Sequence, residues 1–339
     1  MNDINILFTC AGRRNYLINY FKEALNGKGR IFVADLQLSA PAMVDGDVAI
    51  QVPNIFDKNY VSTIEKIVKE NNIKAVISLN DLELPILAKN RKKIEQYGAK
   101  LIVSDEQIIE TCFDKWKTVQ FLLQNEIQSP KTFIDLASAK KVIAKGLLEF
   151  PLVLKPRWGS ASIGIYFPET LEELSIAYQL QNIQLQRTIL AEASKKDNNH
   201  AILIQEKLQG EEYGVDILND FNGRYIGTFV RKKLAMRAGE TDKAISVIDH
   251  KFEILGRTIS KSLRHIGNLD CDVFEYNGNL YVLEFNPRFG GGYPFSHQAG
   301  VNTAAIYIEW LKGSNNIERF INYRPNLMFS KCDQLIKIN

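Results

Sequence analysis

Short apolar runs separated by helix-period segments dominate the first 110 residues. Ile4–Phe8 (I-N-I-L-F), Arg30–Asp35, Lys74–Leu79 (K-A-V-I-S-L) and Lys100–Val103 each read as a strand, with helical patterns to about Leu25 and over about 58–71 and 82–96. Strands that are apolar almost without interruption must be covered on both faces, and their alternation with helices argues for a parallel sheet in a Rossmann-like α/β unit. Cys10-Ala11-Gly12 supplies one glycine where a dinucleotide fingerprint needs G-x-G-x-x-G, so an oxidoreductase reading rests on that glycine and on Asp35 at the end of the second strand.

From about residue 113 the pattern changes. Helices are expected over about 114–126, 137–146, 249–265 and 302–312, and strands over 151–155, 201–206, 212–219 and 224–231, with a hairpin at 270–286. Antiparallel pairing with separate helices makes this an α+β portion. The polar segment 185–199, ending K-K-D-N-N, reads as an exposed loop. The chain is long enough for two or three domains, and its 42 basic and 39 acidic side chains are well mixed, which gives nucleic acid no basic patch to bind. Cys10, Cys112, Cys271 and Cys332 form no C-x-x-C pair, and no apolar run approaches the roughly 20 residues that cross a bilayer. A soluble cytoplasmic protein without a membrane partner is expected.

The hairpin carries the chemistry. In Y-V-L-E-F-N-P-R-F-G-G-G, residues 281–292, a buried-type strand bears an acid and an amide at alternate positions, so Glu284 and Asn286 share a face. A two-residue Asn277-Gly278 turn would pair Tyr276 with Asn279 and set Asp272 opposite Leu283, on the wrong face. A three-residue loop, Asn277–Asn279, sets Asp272 opposite Glu284 and is the expectation. Asp272, Glu284 and Asn286 then present hard oxygens suited to magnesium or manganese with substrate phosphates.

Two more segments supply what a nucleotide needs. Lys155 ends a strand before R-W-G-S-A-S-I-G, where Ser160, Ser162 and Gly164 leave backbone amides free for phosphate oxygens, although this is not a Walker A loop. Gln205–Asp216 (Q-E-K-L-Q-G-E-E-Y-G-V-D) reads as strand–linker–strand with acids for an adenine amino group and ribose hydroxyls.

In this order, F-D-K, K-P…G-S-x-S-x-G, Q-E-K-L-x-G-x-E-Y and D…E-F-N-P-R, the segments resemble the ATP-grasp superfamily of carboxylate–amine ligases, in the branch of carbamoyl-phosphate synthase and biotin carboxylase. The resemblance implies a pre-ATP-grasp domain over 1–112, an ATP-grasp module over 113–312 with a mobile lid at about 131–204, and a C-terminal extension over 313–339. It implies ATP and Mg2+ (or Mn2+) as cofactors, Lys115 and Lys155 on phosphates, Glu206, Lys207 and Leu208 around adenine, and Glu212 on ribose. Asp272, Glu284 and Asn286 match the metal ligands, and Arg288 matches the arginine that steadies the reacting carboxyl. Arg231 and Arg237, in the charged segment 231–243 expected as a loop, are candidates for phosphate and for a carboxylate substrate, and Glu240 lies beside them. Asp81 and Glu83 follow the third strand, where either an amine-binding or a helix-capping role fits. His297 is a candidate proton carrier. The implied reaction activates a small carboxylate, an amino acid first among candidates, and joins it to an amine; a carboxylase or carbamate-phosphorylating enzyme is the alternative, and an idle nucleotide-binding protein a third. The implied partners are the small-molecule substrates and a second copy in a homodimer.

Overall fold

In the N-terminal third, the computed structural model, which describes residues 3–159 and 164–338, forms a five-stranded parallel sheet. Its strands are β1 (Asn5–Thr9), β2 (Ile31–Asp35), β3 (Val48–Gln51), β4 (Ile73–Ser78) and β5 (Lys100–Leu101), in the order β3-β2-β1-β4-β5. Side chains alternate across it: Ile6 and Phe8 pack with Leu17 and Phe21 of the helix Asn15–Leu25, whereas Leu7 and Phe32 pack with Ile64 and Ile67 of Tyr60–Glu70. The sequence did not reveal β3, an edge strand whose residues alternate between half-buried and exposed.

The second unit joins β6 (Thr132–Phe133), β7 (Leu152–Pro156) and β8 (Ile202–Glu206) in the order β6-β8-β7. Helices Leu136–Ile143 and Leu171–Leu185 close over it through Ala139 and Leu174. The segment expected as an exposed loop is partly internal: Leu185, Leu190 and Ala193 are buried around Trp158, and Ala191–Ser194 forms a helical turn. Polar composition misled here, because a few apolar residues anchor an otherwise wet segment.

A six-stranded antiparallel sheet completes the molecule: β9 (Glu211–Asn219), β10 (Tyr225–Arg237), β11 (Glu240–Val247), β12 (Gly267–Tyr276), β13 (Asn279–Asn286) and β14 (Met328–Ser330), in the order β13-β12-β9-β10-β11-β14. The helix His250–Leu263, capped by Asp249, packs Phe252, Ile259 and Leu263 on Val215, Ile217 and Val230. Residues 231–243 are therefore the β10–β11 hairpin and not a loop, turning at Ala238-Gly239 with φ of 49° and 79°. Its charge is dense because one strand face lines a cleft.

The β12–β13 hairpin also corrects the expected loop. Tyr276 pairs with Asn279 across a two-residue turn in which Asn277 and Gly278 are left-handed, with φ of 50° and 76°. Asp272 nevertheless pairs with Glu284, because a bulge follows: Val273 pairs with Val282, leaving Leu283 as the extra residue. Phe289, just past β13, packs against Phe21 and Tyr307, joining the parallel-sheet unit to the rest. Among the described residues no helix is long and apolar enough to cross a membrane.

Candidate active site

The bulge puts Asp272 and Glu284 side by side, and strand period adds Asn286, whose Nδ2 lies 3.5 Å from Glu284 Oε1. Ammonium groups meet this oxygen cluster from three other elements. Lys233 of β10 bridges Asp272 and Glu212, 2.6 Å from each. Lys115, opening the helix Lys115–Gln124, reaches Glu284 at 3.1 Å and the carbonyl of Gly159 at 2.5 Å. Lys155 of β7 donates to Gln205 Oε1 at 2.9 Å.

Electrostatics divide the two acids. Burial, reinforced by Asp270 and Glu284, outweighs Lys233 and raises the Asp272 carboxyl to about 6. Burial also works against ionised Glu284, but Lys115 and Lys155 prevail and hold it down at about 2. Desolvation lowers the Lys155 ammonium to about 8 despite the pull of Glu284, with Lys115 adding to the fall. Lysine ammoniums thus sit on both carboxylates, so the donor set already accommodates cations. Among the described residues no three His, Cys, Asp or Glu side chains group as a metal cage. Two carboxylates and an amide leave coordination positions to phosphate oxygens and water, which suits Mg2+.

Asp272, Glu284, Asn286 and Lys233 line a cleft of about 220 Å³ between the parallel sheet and the β10–β13 face. Arg288 lines it too, donating through Nη2 to Asp81 Oδ2 at 2.5 Å, and Asn80 Oδ1 accepts from Leu82 N at 2.9 Å, so Asn80 forms the turn while Asp81 faces the cleft. Glu240 lines the cleft and pairs with Lys331 at 2.9 Å.

Several expected residues are committed to partners within the protein. Arg231 lies in the cleft wall, but it is 1 % exposed and holds Asp216 and Asp270, each at 2.6 Å, so its guanidinium is already paired rather than offered to a phosphate. Arg237 points outward to Asp333 and Asp242 at 2.6 and 3.0 Å, away from any substrate carboxylate. Glu83 is fully buried under hydroxyls of Thr9, Tyr60 and Ser78, and burial raises its carboxyl, so it cannot receive an amine. His297 stacks on Tyr20 at 3.6 Å, burial lowers it to about 4, and it is not among the residues that line the cleft. Asp35 accepts from the amides of Gly12 and Gln37, one on each carboxylate oxygen.

The residues expected to meet a nucleotide lie along the β8–β9 linker. Glu206 Oε2 accepts from Lys131 N at 3.2 Å, the Lys207 ammonium lies 4.9 Å from the Phe167 ring centre, and half-buried Leu208 follows. Gly164 has φ of 71°, whereas Ser160 and Ser162 lie outside the described residues.

Sequence reasoning missed Lys233 and Arg14. Reading 231–237 as a strand would have found Lys233, since period two puts it on the face of Arg231. Arg14 follows β1 and Asp81 follows β4, at the point where the strand order reverses and ligand crevices form in open α/β sheets.

Two family models match parts of the chain: "PylC-like, N-terminal domain" over residues 6–102, and "ATP-grasp in the biosynthetic pathway with Ter operon" over residues 198–332. The carbamoyl phosphate synthase large chain of Haemophilus ducreyi is 21% identical over 258 residues, covering 70% of this chain and 23% of the relative. The chain spans at most 24% of the length of the first curated relatives it matches. Biotin carboxylase from Campylobacter jejuni superposes with a TM-score of 0.72 at 15% identity, covering 96% of this chain and 74% of that one. L-amino acid ligase from Bacillus licheniformis gives 0.71 at 19% identity, covering 92% and 76%.

Proposed function

We infer that this chain, which belongs to the ATP-grasp superfamily, is an ATP-dependent ligase that activates a small carboxylate as an acyl-phosphate and joins it to an amine, with release of ADP and phosphate. One observation carries the reading: Lys115, Lys155 and Lys233 gather around Asp272, Glu284 and Asn286, and these acids, the amide and Arg288 line one cleft.

A divalent cation bound there supplies Lewis-acid charge neutralisation on phosphate oxygens. Asp272, Glu284 and Asn286 hold it, and Lys115 and Lys155 bind the phosphates whose charge grows during transfer. Lys155, lowered by burial, is poised to gain a strong partner when a phosphate arrives. Glu206 and the Lys207–Leu208 backbone receive adenine, and Glu212 exchanges Lys233 for ribose hydroxyls. Arg288 orients the carboxylate. The segment at about 131–204 acts as the lid that keeps water from the acyl-phosphate. The residue ranges 1–112 and 113–312 are the two domains of this scheme, and 313–339 is an extension whose strand β14 pairs with β11 of the second. Four free cysteines support a reducing, cytoplasmic setting, with a homodimer as the assembly.

A carboxylating or carbamate-phosphorylating reaction would use the same residues, and the similarity to carbamoyl phosphate synthase favours it as the second reading. Incubation with Mg·ATP and pools of amino acids separates the two. ADP and phosphate formed only with two co-substrates support ligation; turnover that requires bicarbonate supports carboxylation; AMP and pyrophosphate would exclude both.

A further inference from the structure

The cleft carries a charge imbalance beside Arg288. Arg14, from the loop after β1, donates through Nη1 to the carbonyls of Leu79 and Phe289 at 2.9 and 2.8 Å. Arg288 Nη1 donates to the same Phe289 carbonyl at 3.1 Å, so two guanidiniums meet over one oxygen. Arg288 has Asp81 as counter-ion, whereas among the described residues no carboxylate forms an ion pair with Arg14. Burial and the neighbouring Arg288 both hold the Arg14 guanidinium below its ordinary value. Like charges in a partly desolvated place repel, and an anion seated between them relieves the repulsion. Glu240 is the acid nearest the floor at Gly291: a methyl group on that glycine would come 3.0–3.2 Å from the Glu240 carboxyl group. The cleft thus offers a guanidinium without a carboxylate counter-ion among the described residues, and an acid, shared with Lys331 at 2.9 Å, lining the same space.

We propose that Arg14 is a specificity-determining residue and that the amine co-substrate is itself an amino acid, its own carboxylate held by Arg14 and its ammonium drawn by Glu240 toward the carboxyl that Arg288 orients. The assignment rests on the ligase reading. It gives a role to Arg14, which reaches the cleft from the N-terminal unit beside Leu79, Asn80 and Asp81. It also makes α-carboxylate recognition, and not the side chain alone, the first filter on the amine.

Thermal denaturation of the full chain with Mg and a non-hydrolysable ATP analogue tests it. The probes are the common L- and D-amino acids, their α-amides, and phosphoethanolamine. Free amino acids are expected to raise the melting temperature of the wild type and α-amides to have little effect. Arg14→Gln should weaken the amino-acid response roughly tenfold or more in apparent Kd, as loss of a charge-assisted bond implies, while Arg14→Lys keeps part of it. Nucleotide affinity should stay within about twofold in both. The proposal is overturned if α-amides stabilise as well as free acids, if Arg14→Gln keeps the wild-type response, or if phosphoethanolamine is the preferred probe. Nucleotide binding without any amino-acid response sinks the Arg14 assignment alone. Absence of nucleotide binding sinks the ligase reading, and this assignment with it.

Discussion

Glu284 concentrates the argument at the scale of single residues. Its ionised form is maintained by Lys115 and Lys155 against burial, and the same carboxylate is the centre of the expected cation site. Glu284→Gln removes the charge while keeping size and shape. Mg·ATP-dependent phosphate release should fall at least about a hundredfold, comparable to losing a key electrostatic contact in other enzymes. The melting temperature should also drop by a few degrees at neutral pH, because two lysines lose their counter-ion. Phosphate release near the wild-type rate would take Glu284 out of the metal site. Asp272, Glu284, Asn286, Lys115 and Lys155 could be singled out in the sequence because each stands in a segment of distinctive order. Arg231 and Arg237 were misplaced for a physical reason: a sequence shows that a guanidinium is present but not which carboxylate has already claimed it.

Elements set these positions through turns and packing, and two glycines show different ways of doing so. Gly278 lies in open space, with nothing within 4 Å of an added Cβ, but its φ is 76°. Gly278→Ala should therefore cost only the left-handed backbone penalty, about 1 kcal/mol. Gly292 has an ordinary φ of −85°, but a Cβ there would come 2.2 Å from Arg231 Nε. That guanidinium cannot swing aside while Asp216 and Asp270 hold it, so Gly292→Ala should cost about 3 kcal/mol, the upper range of overpacking. Urea denaturation of both variants checks the order; a larger loss at Gly278 would contradict the clamp on Arg231. The hairpin also marks what sequence can deliver at this scale. The pairing of Asp272 with Glu284 was anticipated, yet through a three-residue loop, whereas the chain uses a two-residue turn and a bulge at Leu283. Both routes restore the same face, and only coordinates tell them apart, because a bulge leaves no fixed residue signature.

Across the whole molecule, the alternation of apolar runs and helical segments made the parallel sheet legible, whereas its contact with the antiparallel sheet was not. Phe289 against Phe21 and Tyr307 joins residues more than 260 positions apart in one cluster, and no local pattern encodes such a seam. Global stability offers a test of how deeply the antiparallel sheet is packed. His265 is fully buried, its Nε2 lies 3.0 Å from the carbonyl of Ile217, and burial lowers its pKa to about 4 despite that bond. An unfolded histidine titrates near 6.5, so between those values the unfolded chain binds the extra proton and the native one does not. The histidine's contribution is then complete above about pH 6.5 and is lost as the pH falls toward 4. Asp272 opposes this in nearly the same window, because its raised carboxyl makes the native state bind the extra proton as pH climbs from the ordinary aspartate range toward 6. The wild-type curve alone therefore mixes two slopes of opposite sign. Subtracting the His265→Gln curve isolates the histidine: the stability difference, wild type minus variant, should grow by about 3 kcal/mol from pH 4 to 6.5 and stay level above it. A difference that is flat across that range would mean the ring reaches solvent, and that the helix His250–Leu263 does not seal this side of the sheet as tightly as its packing indicates.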